Sequence, residues 1–273
     1  MHVETTIPSV RSLDDATDVI LDGHQPRPLQ EEALALGPDD DGLWMVMYPT
    51  GEGKTEAALL RHGHRPEEHM IFALPTRATT NAMERRLNRI LGATGNAVYL
   101  SHQFAGAIPT GVGSCGDDLA RSEWFTSSIR RLVAPFVAAT CDQVLAAALR
   151  QRQSPLRLLA LANHHIVLDE VHTFDEYQTS LLRELLAWLG ATRTRVTLLS
   201  ATLPEKQATD LRNAYAAGAA STKKETLPYT VTYPGHTSSR RTGASTAQGR
   251  SCPVGFCTGT SRPFTSTWSA TTT

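Results

Sequence analysis

Long hydrophobic runs are absent from this chain, and no stretch is long and apolar enough to cross a bilayer. The first residues, Met1-His2-Val3-Glu4-Thr5-Thr6, lack the basic patch and apolar core of a secretory leader, so a cytoplasmic chain with no membrane partner is expected. Cysteine is scarce. Cys115, Cys141, Cys252 and Cys257 form no C-x-x-C pair and no set with histidine at zinc-binding spacing, which argues against a disulfide framework or a zinc site. An excess of charge of one sign is missing too: the formal net charge is -1 over 273 residues. Long-range attraction to nucleic acid therefore has no support in composition, and any strand binding must come from local polar groups and backbone amides.

A further absence is local. Past Pro234 the chain has no Leu, Ile, Lys, Asp or Glu and is dominated by Ser, Thr, Gly and Arg. Such a segment buries too little apolar surface to offset its ordering entropy, so 235–273 is expected to be a disordered tail. Two origins fit, a natural flexible tail and an out-of-frame end, and the sharpness of the switch favours the second.

What is present is a rhythm. Short apolar runs at 43–48, 70–74, 97–100, 136–139, 165–169 and 196–200 read as strands, and all but the third lead into helical stretches at 54–61, 79–90, 142–150, 177–189 and 205–217. Alternation of this kind predicts an α/β fold with a mainly parallel central sheet flanked by helices. A glycine-rich stretch at 105–116 interrupts it and reads as a surface loop. The expected division is a lead-in at 1–25, a nucleotide-binding domain at 26–234 and the tail.

Between the first strand and its helix stands Tyr48-Pro49-Thr50-Gly51-Glu52-Gly53-Lys54-Thr55. Gly51 and Gly53 permit positive φ and close approach, so backbone N–H groups can surround a phosphate at the positive end of the following helix. Lys54 would supply charge to the β- and γ-phosphates, and the Thr55 hydroxyl would ligate Mg²⁺. The pattern departs from G-x-x-x-x-G-K-[ST] at its first position, where Tyr48 is tolerable if it points into the sheet.

The run His165-Ile166-Val167-Leu168 ends in Asp169-Glu170-Val171-His172. Paired carboxylates at the carboxyl end of a strand lie where open α/β sheets bind ligands. Asp169 would hold Mg²⁺ and Glu170 would orient and deprotonate the attacking water. Taken alone, the pair also fits an acidic helix start. Thr197-Leu198-Leu199-Ser200-Ala201-Thr202-Leu203-Pro204 delivers hydroxyls at the end of another strand, where Ser200 and Thr202 can couple to the acidic pair or simply cap a helix. His164 and His165 point to opposite faces of a strand and so read as a packed or exposed pair rather than metal ligands. Leu181, Leu182, Leu185, Leu186 and Leu189 read as core, as do Trp44, Trp124 and Trp188.

Taken together these motifs resemble superfamily 2 helicases, and among them the CRISPR-associated helicase-nucleases of type I interference systems. The resemblance runs from about Pro26 to Pro234. It rests on Pro26-Arg27-Pro28-Leu29-Gln30, the phosphate loop, Pro75-Thr76-Arg77, Thr140-Cys141-Asp142-Gln143, Asp169-Glu170-Val171-His172-Thr173-Phe174-Asp175 and Ser200-Ala201-Thr202. It implies a RecA-like P-loop NTPase fold, ATP and Mg²⁺ as cofactors, and a catalytic set of Lys54, Asp169, Glu170 and His172. Thr55 and Asp169 are the implied metal ligands. Nucleotide contacts come from Arg27, Gln30, Thr50, Gly51, Glu52, Gly53, Lys54 and Thr55, with Gln30 and Arg27 at the adenine. Pro75, Thr76, Arg77, Thr140 and Asp142 would lie along single-stranded DNA.

The implied activity is an ATP-dependent DNA helicase serving CRISPR defence, with an RNA-guided surveillance complex as partner. Family parts that the sequence does not carry are the His-Asp ligand pairs of the nuclease and a Gln-x-x-Gly-Arg-x-x-Arg element after Pro204. The expectation is thus an incomplete motor, weak or inactive alone, with a separate chain supplying the second lobe and nuclease. A nucleotide- or strand-binding module without turnover and a DEAH-type RNA helicase fragment are the rival readings.

Overall fold

The structure, a computed structural model, describes residues 13–92, 98–101, 131–162, 164–222, 229–233 and 236–240. The expected loop at 105–116, Trp124, three of the four cysteines and the chain beyond 240 lie outside these residues.

Helices α1 (Leu13–Leu21) and α2 (Pro28–Ala35) precede β1 (Leu43–Met47), α3 (Lys54–Gly63), β2 (His69–Leu74), α4 (Arg77–Gly92) and β3 (Val98–Ser101). Then follow β4 (Phe136–Thr140), α5 (Cys141–Leu145), α6 (Ser154–Leu161), β5 (His164–Leu168), a 3₁₀ turn (Val171–Thr173), α7 (Glu176–Ala191), β6 (Val196–Ser200) and α8 (Glu205–Thr222). Two further strands, β7 (Tyr229–Tyr233) and β8 (His236–Arg240), complete the described chain. The sheet has eight strands in the order β3-β4-β2-β5-β6-β1-β7-β8, all pairings parallel except β7 with β8. Crossover helices on both faces give the RecA-like architecture expected from the alternation of elements.

Strand side chains alternate between two cores, as a period of two demands. Leu43, Met45, Ile71, Ala73, Ile166, Leu168, Val196 and Leu198 face Leu182, Leu185, Leu186 and Leu189 of α7 and Leu211 and Tyr215 of α8. Trp44, Val46, Met70, Phe72 and Val167 face Leu29, Ala33, Leu59, Leu60 and Leu87 on α2, α3 and α4. Because both faces are covered, the central strands are buried along their length, which explains their unbroken apolar runs.

Four departures have physical causes. The expected helices ending at 189 and 217 run on through Gly190 and Gly218 to Ala191 and Thr222. A Cβ on either glycine would strike the backbone of the other helix, so the glycines mark a close helix crossing and not helix ends. The helix expected at 142–150 stops at Leu145, after which three-residue turns such as Ala148 N–H to Leu145 carbonyl, 2.9 Å, tighten the chain into α6, an element absent from the sequence reading. Trp188, expected in the core, is 56% exposed, being about 110° round the helix from the centre of the inward leucine stripe. The segment from 235 on, expected to stand free, begins with strand β8. An antiparallel edge asks only for backbone partners and tolerates Ser and Thr, so it forms without an apolar face.

One buried cation fastens the centre of this sheet. Arg61 Nε donates to Asp40 Oδ2 at 2.9 Å, Nη1 to the Val196 carbonyl at 2.7 Å and to Thr197 Oγ1 at 2.8 Å, and Nη2 to the Gly42 carbonyl at 3.1 Å. Burial pulls its pKa down to about 10, and the adjacent Asp40 carboxylate opposes that fall.

Candidate nucleotide site

The phosphate loop leaves the middle of the sheet. Tyr48 turns back into the core between sheet and α2, its ring buried and its hydroxyl donating to Glu32 Oε1 at 3.3 Å, which meets the condition that a bulky side chain there point inward. Gly51 and Gly53 have φ of 87° and 79°, the left-handed values that glycine adopts without a steric cost. At Gly53 a Cβ would in addition meet the Gln30 amide, which would have to shift to admit it. Helix α3 starts at the next residue, so its unpaired N–H groups and dipole face the loop.

Lys54 is 8% exposed, and its Nζ has no hydrogen-bond partner in the protein. A buried ammonium without a partner costs several kcal/mol even after the protein relaxes around it, unless a ligand supplies the acceptors. A phosphate does so, and the loop geometry fits one.

Asp169 and Glu170 meet the loop from β5. The Asp169 N–H donates to the Ala73 carbonyl at 2.9 Å, continuing the ladder with β2, and its Oδ1 accepts the Glu170 N–H at 2.8 Å. Asp169 is 9% exposed. Burial first, and the Glu170 charge second, raise its carboxyl to about 6, against the pull of the Glu170 N–H, Lys54 and His172. A carboxylate left under-compensated in this way suits a cation.

Glu170 has φ 55°, a left-handed conformation costly for a residue with a Cβ. That twist aims Oε2 at His172 Nε2, 3.3 Å away. The other ring nitrogen, Nδ1, accepts the Ala201 N–H at 3.4 Å and lies 3.3 Å from Ser200 Oγ. An Nδ1 that accepts leaves the ring hydrogen on Nε2, directed at the Glu170 carboxylate. Ser200 Oγ also lies 2.9 Å from the Thr202 carbonyl. The acidic pair is thus wired to β6 through one imidazole. Thr202 takes part by its carbonyl, while its side chain is exposed.

The walls of one cleft of about 620 Å³ bring together Arg27, Gln30, Thr50, Gly51, Gly53, Lys54, Thr55, Asp169 and Glu170. Glu52 is exposed and outside those walls. Arg27 bridges α2 to the loop by donating from Nη1 to the Gly51 carbonyl. Gln30 is 5% exposed, and its Oε1 already accepts the Arg27 N–H at 2.8 Å, which fixes the amide at the rim of the cleft. Three contributions were not foreseen from sequence. Ile20, Leu21, Asp22, His24 and Gln25 from α1 and its exit form one wall, and Glu56 and Arg86 complete another. Glu56 directly follows the phosphate loop but carried no assigned role, Arg86 stands in no recognisable motif, and α1 lies in the stretch read as a lead-in.

The residues assigned to a strand stand apart from this cleft, at the carboxyl ends of β2 and β4, which pair Leu74 with Thr140. Thr76 and Arg77 are exposed, and Thr76 and Thr79 lock the turn by mutual hydrogen bonds of 2.9–3.3 Å. Pro75 is half-buried and Asp142 exposed, its Oδ1 accepting from Gln178 Nε2 at 3.2 Å. Thr140 is 6% exposed, so it presents little surface. Asp175 caps α7 by accepting the Gln178 N–H at 2.7 Å. His164 and His165 are both buried and point apart as expected, His164 to the Ala160 and Ala134 carbonyls and His165 to Thr197 Oγ1. Among the described residues no cluster could hold a metal through His, Cys, Asp and Glu alone, and no helix is long and apolar enough to cross a membrane.

Comparison with known proteins agrees with this geometry. The chain is 36% identical over 217 residues to the CRISPR-associated endonuclease/helicase Cas3 of Thermus thermophilus, covering 70% of this chain and 23% of that protein. The crystal structure of T. fusca Cas3-ATP superposes with a TM-score of 0.66 at 35% identity, covering 76% of this chain and 24% of that one. A chain in a structure titled CRISPR RNA-guided surveillance complex, pre-nicking, gives a TM-score of 0.54 at 32% identity over 77% of this chain and 22% of that one. The chain therefore spans about a quarter of the length of these relatives. The DEAD/DEAH box helicase family is matched over residues 27–211, from Arg27 at the cleft rim to Leu211 in the core. With its RecA-like sheet and this site, the chain belongs to the DEAD/DEAH box helicase family.

Proposed function

We propose that this chain is the ATP-binding lobe of an ATP-dependent DNA helicase that acts on single-stranded DNA in CRISPR defence. The observation that carries the reading is the buried, partnerless Lys54 ammonium facing the Asp169–Glu170 pair across one cleft. Likeness to proteins titled Cas3, one of them with ATP, supports the nucleotide and the defence role, and the likeness to a surveillance-complex chain supports that complex as partner.

In this reading Lys54 and the amides of the loop hold the β- and γ-phosphates. The Thr55 hydroxyl and Asp169 hold Mg²⁺, which supplies Lewis-acid neutralisation of the phosphate oxygens. Arg27 and Gln30 meet the adenine. Glu170 accepts a proton from water as the water oxygen bonds to the γ-phosphorus and the bond to the β-phosphate oxygen breaks. His172, hydrogen-bonded at Nε2 to Glu170 and at Nδ1 to the Ala201 amide, holds that carboxylate and passes its position to β6. Pro75, Thr76, Arg77, Thr140 and Asp142 line the strand path, with contacts to the sugar-phosphate backbone that are independent of sequence.

An arginine finger from a second lobe is worth about 10³–10⁵ in turnover in related phosphoryl-transfer enzymes, so this lobe alone should bind ATP better than it hydrolyses it. The test is steady-state hydrolysis by the purified chain with and without single-stranded DNA or RNA, with Lys54→Ala as blank. Tight ATP binding with slow turnover, raised by DNA or by an added second lobe, is expected. Binding equal to that of the blank would overturn the reading, and stimulation by RNA alone would redirect it to an RNA helicase.

A further inference from the structure

Arg86 belongs to none of the sequence motifs, yet its guanidinium reaches from α4 into the phosphate end of the cleft. Nη1 donates to Thr55 Oγ1 at 3.3 Å, and Nη2 forms an ion pair with Glu56 Oε1. The Thr55 hydroxyl is the oxygen that would ligate the metal. Thr55 is 9% exposed, so few other approaches to that oxygen remain.

We infer that Arg86 competes with Mg²⁺ for Thr55 and so sets the metal concentration at which this lobe takes up Mg²⁺-nucleotide, a proposal that rests on the phosphate-loop reading above. A hydroxyl oxygen that accepts from a guanidinium has one lone pair engaged and a full positive charge beside it. A dication bound to the same oxygen would stand within a few ångströms of that charge, close enough for repulsion to persist although solvent reaches the part-exposed Arg86 side chain and screens some of it. Arg86 must therefore turn away from Thr55 when the metal arrives. Glu56 gives it a place to remain, since the ion pair survives the loss of the Thr55 contact. Arg86 is a positioning residue: it acts on the metal through Thr55 and need not touch the nucleotide.

The two members of the pair carry opposite expectations. Arg86→Ala removes the competitor and leaves the Glu56 carboxylate uncompensated, so the half-saturating Mg²⁺ for binding a fluorescent ATP analogue should fall at least about threefold, the scale of a partly exposed charge contact. Glu56→Gln frees Arg86 for Thr55 and should raise it. Arg86→Lys keeps the charge without the fork and should fall between parent and alanine. Arg89→Ala removes a charge of the same helix outside the cleft and should leave the midpoint in place.

The measurement is a Mg²⁺ titration of analogue fluorescence, starting in excess chelator, on the parent and these variants. A midpoint unmoved by Arg86→Ala, or moved equally by Arg89→Ala, overturns the proposal. So does nucleotide binding weakened alike with and without Mg²⁺, which would make Arg86 a direct phosphate contact. If Arg86→Ala fails to fold, Arg86→Gln carries the same expectation and the same refutation. A parent indistinguishable from Lys54→Ala would instead refute the phosphate-loop reading, and this proposal with it.

Discussion

Glu170 occupies a left-handed backbone conformation while Asp169, its neighbour, is buried and protonates near pH 6. The two carboxylates therefore respond differently to perturbation. Glu170→Gln keeps the shape and the backbone twist, so it should bind ATP with parent affinity and lose hydrolysis; parent-rate turnover by filter assay would remove Glu170 from the role of base. Asp169 has its folded pKa raised above the ordinary carboxylate value, so its ionised form is the strained one in the empty lobe. Protons and metal compete for it, and Mg²⁺-nucleotide affinity should drop as pH falls through about 6, measurable by the same fluorescence titration at pH 7.5 and 5.5. An affinity independent of pH over that range would mean that Asp169 does not meet the metal. At this scale the motif residues were legible in the sequence, because their chemistry is fixed by type and spacing: Lys54, Thr55, Asp169 and Glu170 do converge on one cleft. Arg86 and the α1 wall were not, since they arrive by tertiary packing and leave no local pattern.

Helices α7 and α8 show what local pattern gets wrong. A glycine in a helix costs about 1 kcal/mol relative to alanine, so a reader of sequence ends the helix there. In this fold the two glycines let the helix backbones touch, and the cost is offset by packing of the leucine stripe on both sides. Gly218→Ala should thus destabilise instead of stabilising, by about 1–3 kcal/mol, as overpacking does. Urea unfolding followed by circular dichroism checks the sign, and a stabilised variant would mean that the crossing is looser than described. Strands β1 to β6, by contrast, were placed to about a residue, because strands buried between two layers announce themselves as apolar runs, whereas β7 and β8 were not read as strands.

Across the whole molecule, buried histidines make an acid-sensitive fold. Burial lowers His62 to about 3 and His164 to about 4, and pushes His165 well below its usual value. A histidine depressed in the folded state contributes stability that is present above the unfolded pKa of about 6.5 and is lost as pH falls below it. Each can remove up to about 1.4 kcal/mol per pH unit, against which Asp169, raised in the folded state, returns part as it protonates. The unfolding midpoint in urea should therefore drop steeply between pH 7 and 5, and His62→Phe should flatten the drop. A midpoint constant over that range would contradict the neutral, buried state of these rings.

The strand order has a consequence in time as well as in space. Strand β1, from which the phosphate loop springs, pairs with β6 on one side and β7 on the other, and neither is near it in sequence. The loop leaves the ribosome well ahead of its seat, which does not exist until Val196 and the residues after it emerge. At ordinary synthesis rates that is a wait on the order of 10 s. A nascent chain halted before β6 would display every letter of the phosphate-binding motif and have nowhere to fold it.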